Sequence, residues 1–373
     1  MATERLAICD YFRNVPDPRR DRLKRHLLID IITIAICGVI GGANTWVDIE
    51  TFARNRQEWL ARFLRLPNGI PSHDTIERVF SLINPRSLQR CLLAWLRDIG
   101  DALDVKHIAI DGKTLRHSAR ASAPHKYLHL VSAWASTARL TLGQVAVEEK
   151  SNEITAIPRL LELLNVRGAL VTIDAIGCQK EIAAAIVDKG GDFVLTVKDN
   201  QEHLHEDIAN CFVQAYEQDG VGVQMDTFTT EEKGHGREEK RTYTIITNPE
   251  GIRNQEAWSK LKVIGQCVYE RTVAGNTSTE LHFFIGSRKC SAKQYGTALR
   301  NHWGIENNLH WQMDVTFAED ANQTKQREAA ENLSCLRRLA LMQLQKYSGK
   351  GSIRTRRYSA TLSTAILEEV LSQ

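Results

Sequence analysis

Three carboxylates occupy positions from which they could share a cation. Asp111 closes the short apolar run of Val105, Ile108 and Ile110 and is followed by Gly112 and Lys113. A brief β-branched run bounded by turn residues predicts a buried strand, with Asp111 at its exit. Asp174 closes a second such run, made by Leu170, Val171 and Ile173. The third is Glu306, inside Leu299–Asp320, where Ile305, Leu309 and Met313 recur at helical spacing and Trp303, Glu306 and His310 form an adjoining stripe. Hard oxygen ligands of this kind suit Mg²⁺ or Mn²⁺, and a pair of such ions serves phosphodiester chemistry. Singly, each has a plainer reading, because Asp-Gly is a common turn dipeptide and a helix glutamate is usually solvated.

The surrounding elements decide whether the three can meet. Behind Asp174, Gln179–Lys189 predicts a helix with Ile182, Ile186 and Val187 on one side, and Asp192–Lys198 predicts another buried strand. Strand, helix, strand implies parallel pairing, which puts Asp174 at the carboxyl edge of the sheet, where α/β proteins hold their chemistry. After Asp111, Leu128–Ser136 and Leu140–Glu148 predict two further strands in an antiparallel meander, and Thr155–Leu164 a helix leading to the Asp174 strand. Glu202–Tyr216 is a predicted helix, and residues 223–288 are strand-like in composition.

Four ordered blocks carry a resemblance. IAIDGKTLRHS, LVTIDAIGCQKEIA with DFVLTVKDNQ, HGREEKR at His235–Arg241, and HWGIENNLHWQMDVTFAED together resemble the DDE transposases of bacterial insertion sequences. The nearest branch includes the H-repeat-associated proteins linked to Rhs elements. The resemblance implies an α/β, ribonuclease-H-like catalytic domain, and the predicted order of three strands, helix, strand, helix, strand fits that sheet. It also implies two-metal DNA cleavage and joining with Mg²⁺ or Mn²⁺, a triad of Asp111, Asp174 and Glu306, and a β-rich insertion before the glutamate helix. Two departures stand out. Where larger relatives carry a tyrosine, arginine and lysine around the glutamate, this chain has Leu299, His302 and Met313, and Glu238 replaces an aliphatic residue in HGREEKR.

The chain is 373 residues long, 43% hydrophobic and 25% charged, with a formal charge of +3. That length supports two or three domains, and the weak net charge means that basic residues must cluster to matter for nucleic acid. The reading divides the chain into an all-helical N-terminal domain at 1–104, a catalytic domain at 105–345 and a basic tail at 346–373. Eight scattered cysteines without a C-x-x-C pair suit a reducing compartment. The N-terminus lacks a signal-peptide layout, and the apolar stretch Leu27–Ala43 contains Asp30 and three glycines, so a buried helix is expected rather than a membrane span. A cytoplasmic, nucleoid-associated protein is expected.

Within 1–104, Asp74 and Glu77 offer a capping pair before the stripe Ile76, Val79, Phe80 and Ile83. The pattern admits a helix-turn-helix unit or ordinary helix packing. The expected DNA contacts are the cluster Arg19, Arg20, Arg22, Lys24 and Arg25; Lys113, Arg116 and Lys198 at the sheet edge; His235, Arg237 and Arg241 in the insertion; His302; and Arg354, Arg356 and Arg357 in the tail. Solvated surface charge is the plainer reading of each. The expected partner is double-stranded DNA, at element ends and at the target, bound by a homodimer because two ends must be joined. No nucleophile triad, phosphate loop or zinc spacing is evident. A DNA-binding relative without activity and a nuclease that cuts without joining are the alternatives. Should Glu306 not be the third ligand, Asp314 or Asp320 is next.

Overall fold

The computed structural model describes residues 7–100, 105–116, 127–148, 151–234 and 236–372. Among the described residues, six α-helices come first: α1 (Ala7–Phe12), α2 (Leu28–Ile40), α3 (Trp46–Asn55), α4 (Gln57–Leu60), α5 (His73–Leu82) and α6 (Pro85–Gly100). Then follow β1 (His107–Leu115), β2 (Leu128–Ala135), β3 (Leu140–Ala146), α7 (Glu153–Leu163), β4 (Leu170–Ile173), α8 (Lys180–Asp188), β5 (Asp192–Val197) and α9 (Glu202–Glu217). The insertion supplies β6 (Gln224–Gly234), β7 (Arg237–Thr247), β8 (Val263–Val273) and β9 (Asn276–Gly286). Last come α10 (Ala292–His302), a π-helical turn at Glu306–His310, α11 (Trp311–Val315), α12 (Arg327–Lys346), α13 (Ile353–Leu362) and α14 (Thr364–Leu371).

All nine strands of the described residues lie in one sheet of order β3-β2-β1-β4-β5-β9-β8-β7-β6. β1 runs antiparallel to β2 and parallel to β4, which is parallel to β5. The expected meander and parallel pair are therefore present. Side-chain alternation along β1 explains why it reads as a continuous apolar run: Ile108 and Ile110 enter a core with α7, α8 and α9, while Ala109 enters a second core with α12 and the N-terminal helices. A strand covered on both faces needs no polar side. The insertion does not form a separate sheet. β9 pairs antiparallel with β5, from Val194 opposite Gly286 to Val197 opposite Phe283, and so extends the central sheet.

The N-terminal helices do not close a core of their own. α2 is buried along nearly its whole length, and Ile31, Ile34 and Ile36 share one apolar cluster with Leu336, Leu339 and Met342 of α12 and with Leu367 and Val370 of α14. A helix apolar all round belongs in an interior. Among the described residues no helix is long and apolar enough to cross a membrane. The stripe on α5 is spent on packing, with Ile76, Val79 and Phe80 buried, and Asn332 of α12 donates to the Phe80 and Ile83 carbonyls at 2.8 and 2.9 Å. The cap of α5 is Ser72 rather than Asp74: the Ser72 hydroxyl accepts from the Thr75 amide.

The basic tail, whose Arg354, Arg356 and Arg357 were expected to contact DNA, is folded into α13 and α14. Arg357 is 5% exposed; its guanidinium donates to the Val39 and Ala43 carbonyls at the end of α2, to the Thr316 carbonyl and to Asn44, and stacks on Phe317. Arg356 donates to the Leu344 and Tyr347 carbonyls at 3.0 and 2.8 Å, capping α12. A charged, Gly/Ser-punctuated segment looks solvated in sequence, but its arginines satisfy carbonyls left bare at helix ends.

Candidate active site

The register of β1 and β4 brings two aspartates together. His107 lies opposite Leu170 and Ile110 opposite Ile173, and each chain then continues into an aspartate, Asp111 and Asp174. Asp111 is not at a strand exit as expected. β1 continues to Leu115 because β2 still pairs with it, Ser132 facing Asp111, after the pairing with β4 has ended. Asp174 begins the turn after β4, where the backbone amides of Ile176 and Gly177 bond to it. One of its oxygens, Oδ1, is buried with no hydrogen-bond partner. Lys198, exposed at the end of β5, acts on Asp174 as an attractive charge, and Asn200 ties the following loop to the Ala175 carbonyl at 2.7 Å.

Glu306 is carried differently from expectation. The helix spans 292–302, breaks at Trp303, and re-forms as a π-helical turn at Glu306–His310 before α11. Such wide turns recur at functional sites because they re-aim side chains. Ile305, Leu309 and Met313 are buried beneath it, Glu306 is exposed, and Trp303 and Trp311 are 59% and 54% exposed on either side. His310, on the same turn, brings Nε2 to 3.7 Å from Asp111 Oδ2. Burial holds the His310 pKa down at about 3, so it is neutral at physiological pH.

Burial pushes the Asp111 carboxyl up to about 7, aided by the charges of Asp174, Glu153 and Glu306 and opposed by the Gly112 amide. Burial also raises Asp174, again with Glu153 as a repelling neighbour. Asp111 thus lies within electrostatic reach of Asp174, Glu153 and Glu306. Among the described residues no three Asp, Glu, His or Cys side chains converge into a ready-made metal cage. Like charges that repel over these distances are what a cation would draw in. The carboxylate donors and the unsatisfied Asp174 oxygen fit a hard divalent ion.

A pH dependence follows. Because folding raises the Asp111 pKa above its unfolded value near 3.8, the native state holds this proton more tightly. Stability from this group is fully present below pH ~4 and is lost as pH rises toward 7. Urea titrations of the metal-free protein are expected to show that decline, and Asp111→Asn to make it shallower while Glu331, also pushed up to about 7 by burial, keeps part of it; an equally steep decline in the variant contradicts the assignment.

Lys113 is not a DNA-facing residue. It lies two positions beyond Asp111 on the same face of β1, 9% exposed, and its ammonium pairs with Asp314 and, at 3.3 Å, with Glu319. Glu319, 1% exposed, also accepts from Arg338 at 3.1 Å and Ser334 at 2.6 Å. This buried network ties β1 to the segment after Glu306 and to α12. Asp314, the reserve candidate for third ligand, is engaged in it; Asp320 lies 3.7 Å from Arg116. His302 is likewise packed inward, Nδ1 at 3.0 Å from Thr172 Oγ1, with burial holding its pKa at about 4.

The other expected DNA contacts are scattered. Arg20, Arg22, Lys24 and Arg25 are exposed, Lys24 being paired with Asp21, whereas Arg19 is folded onto Asp17 at 2.9 Å. Arg116, Lys198 and Arg354 are exposed. Arg237 pairs with Glu239 at 3.0 Å, and Arg241 pairs with Glu239 and stacks on Tyr269, so this strand face is largely self-satisfied. His235 lies outside the described residues.

Sequence reasoning missed Glu153. It opens α7, and its Oε1 lies 2.7 Å from His129 Nε2 of β2. An acid in the first turn of a helix is ordinary, so nothing local marks it; only the sheet brings it over Gly112, next to Asp111 in the chain.

Comparison with known proteins identifies the family. Residues 104–343 match the family described as Transposase DDE domain, and residues 9–96 match the region described as DDE_Tnp_1-associated. The chain is 38% identical to "Putative transposase YncI" of Escherichia coli O157:H7, covering 98% of this chain and 94% of that protein. It is 38% identical to "H repeat-associated putative transposase YhhI" of Escherichia coli K12, covering 90% and 89%. A short relative, "Inactive transposase YbfQ" of Escherichia coli K12, is 40% identical over 20% of this chain and 88% of its own length. With one family spanning the sheet and the glutamate segment and full-length relatives on both sides of the N-terminal boundary, the chain belongs to the DDE transposase family.

Proposed function

We propose that the protein is a DNA transposase that cleaves at the ends of an insertion element and transfers the freed strand into target DNA. The observation that carries this reading is the β1/β4 register, which sets Asp111 beside Asp174 at the edge reached by the charge of Glu306. The five strands β3-β2-β1-β4-β5 are proposed as a ribonuclease-H-like core, with β6–β9 as an extension that widens the DNA-facing edge.

Two Mg²⁺ or Mn²⁺ ions, when bound, make water a better nucleophile and neutralise charge on the leaving oxygen. Asp111 and Asp174 would hold them, and Glu306 would complete the set and orient the attacking water. The π-helical turn aims Glu306, and the Lys113–Glu319–Arg338 network holds that segment against β1. No covalent intermediate on the protein is needed. Joining two ends implies a homodimer on DNA.

Labelled duplexes carrying candidate element ends test the reading. Metal-dependent cuts leaving 3′-hydroxyls, followed by joined products, support it; cutting without joining makes the protein a nuclease. The open arrangement of the carboxylates and the inactive relative favour a second reading, a protein that binds ends without cutting, and binding without cleavage in either metal would establish it.

The exposed N-terminal cluster makes a separate prediction. If Arg20, Arg22 and Arg25 contact phosphates, each substitution by alanine lowers the slope of log affinity against log salt by about one. Fluorescence anisotropy across a salt series reads this; an unchanged slope in the triple variant removes the cluster from the interface.

A further inference from the structure

A cavity of about 690 Å³ adjoins the segment that carries Glu306. Asn308 of the π-helical turn and Gln312 of α11 form one wall, the β2–β3 turn a second, and the end of α12 with the start of α13 the rest. That volume is typical of a ligand pocket. Its lining holds three cationic side chains, Arg139, Lys346 and Arg356, and no acid.

The protein does not neutralise these cations. Among the described residues none of the three makes an ion pair. Arg139 is exposed in the β2–β3 turn with its backbone left-handed at φ 54°, a conformation that glycine or asparagine adopts at lower cost. Lys346 is half-buried over the Trp95 ring, 5.8 Å from its centroid, and burial lowers its pKa with no acid to offset the effect. Arg356 spends Nη1 on the Leu344, Gln345 and Tyr347 carbonyls, while its Nε is buried without a hydrogen-bond partner. A buried donor left unpaired in an acid-free cavity points to a missing acceptor. Beside it α13 begins. The Ser352 hydroxyl accepts from the Thr355 amide, and the two helix amides before that one have no partner within the helix. Cationic N–H groups converging with a helix start suit a phosphate.

We propose that this cavity seats a backbone phosphate of the DNA strand that crosses the glutamate turn, held by Arg139, Lys346, Arg356 and the first amides of α13. The inference rests on the DNA-handling reading above. Lys350 and Arg354, both exposed, flank the cavity residues Gly351–Ile353 in the chain and continue the positive charge outward, which suits a polyanion better than a single free phosphate. Because Asn308 and Gln312 bracket the turn that bears Glu306, a strand anchored here is fixed relative to that side chain.

The test uses Arg139→Gln and Lys346→Gln, which each remove one charge and leave Arg356 to cap α12. Fluorescence anisotropy of a labelled duplex with the full chain, across a salt series in EDTA, is expected to lower the slope of log affinity against log salt by about one in each variant and about two in the double variant. Hydrogen exchange gives the local readout: duplex should protect peptides covering 346–356 in the wild type and not in the double variant, whose thermal midpoint is not lowered. A purely structural role predicts a lower midpoint and an unchanged slope. An unchanged slope in the double variant, with the wild type binding duplex, overturns this proposal alone. So does protection of those peptides by inorganic phosphate but not by duplex, which makes the cavity a free-anion site. If the wild type binds no duplex, the DNA-handling reading falls and this proposal with it.

Discussion

Asp111→Asn, Asp174→Asn and Glu306→Gln are each expected to lower metal-dependent cleavage of element ends by roughly 10³-fold or more while leaving DNA binding intact. Each change removes the charge of a proposed ligand and keeps the side-chain volume. Stabilising the charge on a transferring phosphoryl group through a cation is worth several kcal/mol, and each ~1.4 kcal/mol is tenfold in rate. The three do not contribute in the same way. Asp111 is pressed by three neighbouring carboxylates, so Asp111→Asn also relieves repulsion and should stabilise the metal-free fold. Glu306 is exposed on a wide turn, and Glu306→Gln should leave stability unchanged. Cleavage kinetics paired with urea unfolding separate the two effects. Cleavage that survives Glu306→Gln removes it from the ligand set, and Asp320 becomes the next residue to substitute, since Asp314 is held by Lys113.

The second large effect concerns stability. Glu319→Gln is expected to cost about 3–5 kcal/mol, a large part of the ~5–15 kcal/mol that holds a typical domain together. Burial works to raise the Glu319 pKa, but Arg338 and Lys113 outweigh it and hold the group at about 2, fully ionised. Glutamine keeps the shape and removes the charge. Arg338, 1% exposed, is then left without its carboxylate in the interior, while Lys113 retains Asp314. The asymmetry predicts that Lys113→Met costs less than Glu319→Gln. It also predicts that Glu319→Leu with Arg338→Met recovers much of the loss, since replacing both partners removes the uncompensated charge. Urea midpoints check this, and a Glu319→Gln shift below about 0.5 kcal/mol would show that the network is no more than surface-like in strength. Because Lys113 shares a strand face with Asp111, cleavage in the double variant reports whether the network also aligns Glu306.

Much of this site was legible in the chain. The two apolar runs that end in aspartate, the βαβ pattern between 170 and 198 and the meander after Asp111 all depend on local periodicity, and each appears in the sheet. The β-rich stretch at 223–288 was legible for the same reason. Its destination was not. A period of two says that a strand has two faces and is silent on which edge it joins, so the pairing of β9 with β5 emerges only when the sheet is assembled.

Charges were the harder part. Lys113, His302 and Arg357 carry the residue types that bind phosphate, and in sequence nothing distinguishes them from exposed Arg20 or Lys198. Each lies inside because a distant partner makes its burial affordable: Glu319 for Lys113, Thr172 for His302, and the carbonyls at the end of α2 for Arg357. Glu153 is the reverse case, an unremarkable helix-start acid brought over Gly112 and onto His129 by the way α7 crosses the sheet. The sequence by itself determined the strand and helix periods, the family and the two aspartates. The tertiary structure decided which charges face solvent, which are buried in pairs and which carboxylates share one electrostatic neighbourhood, because these depend on contacts between residues far apart in the chain, from 24 positions for His129 and Glu153 to 318 for Val39 and Arg357.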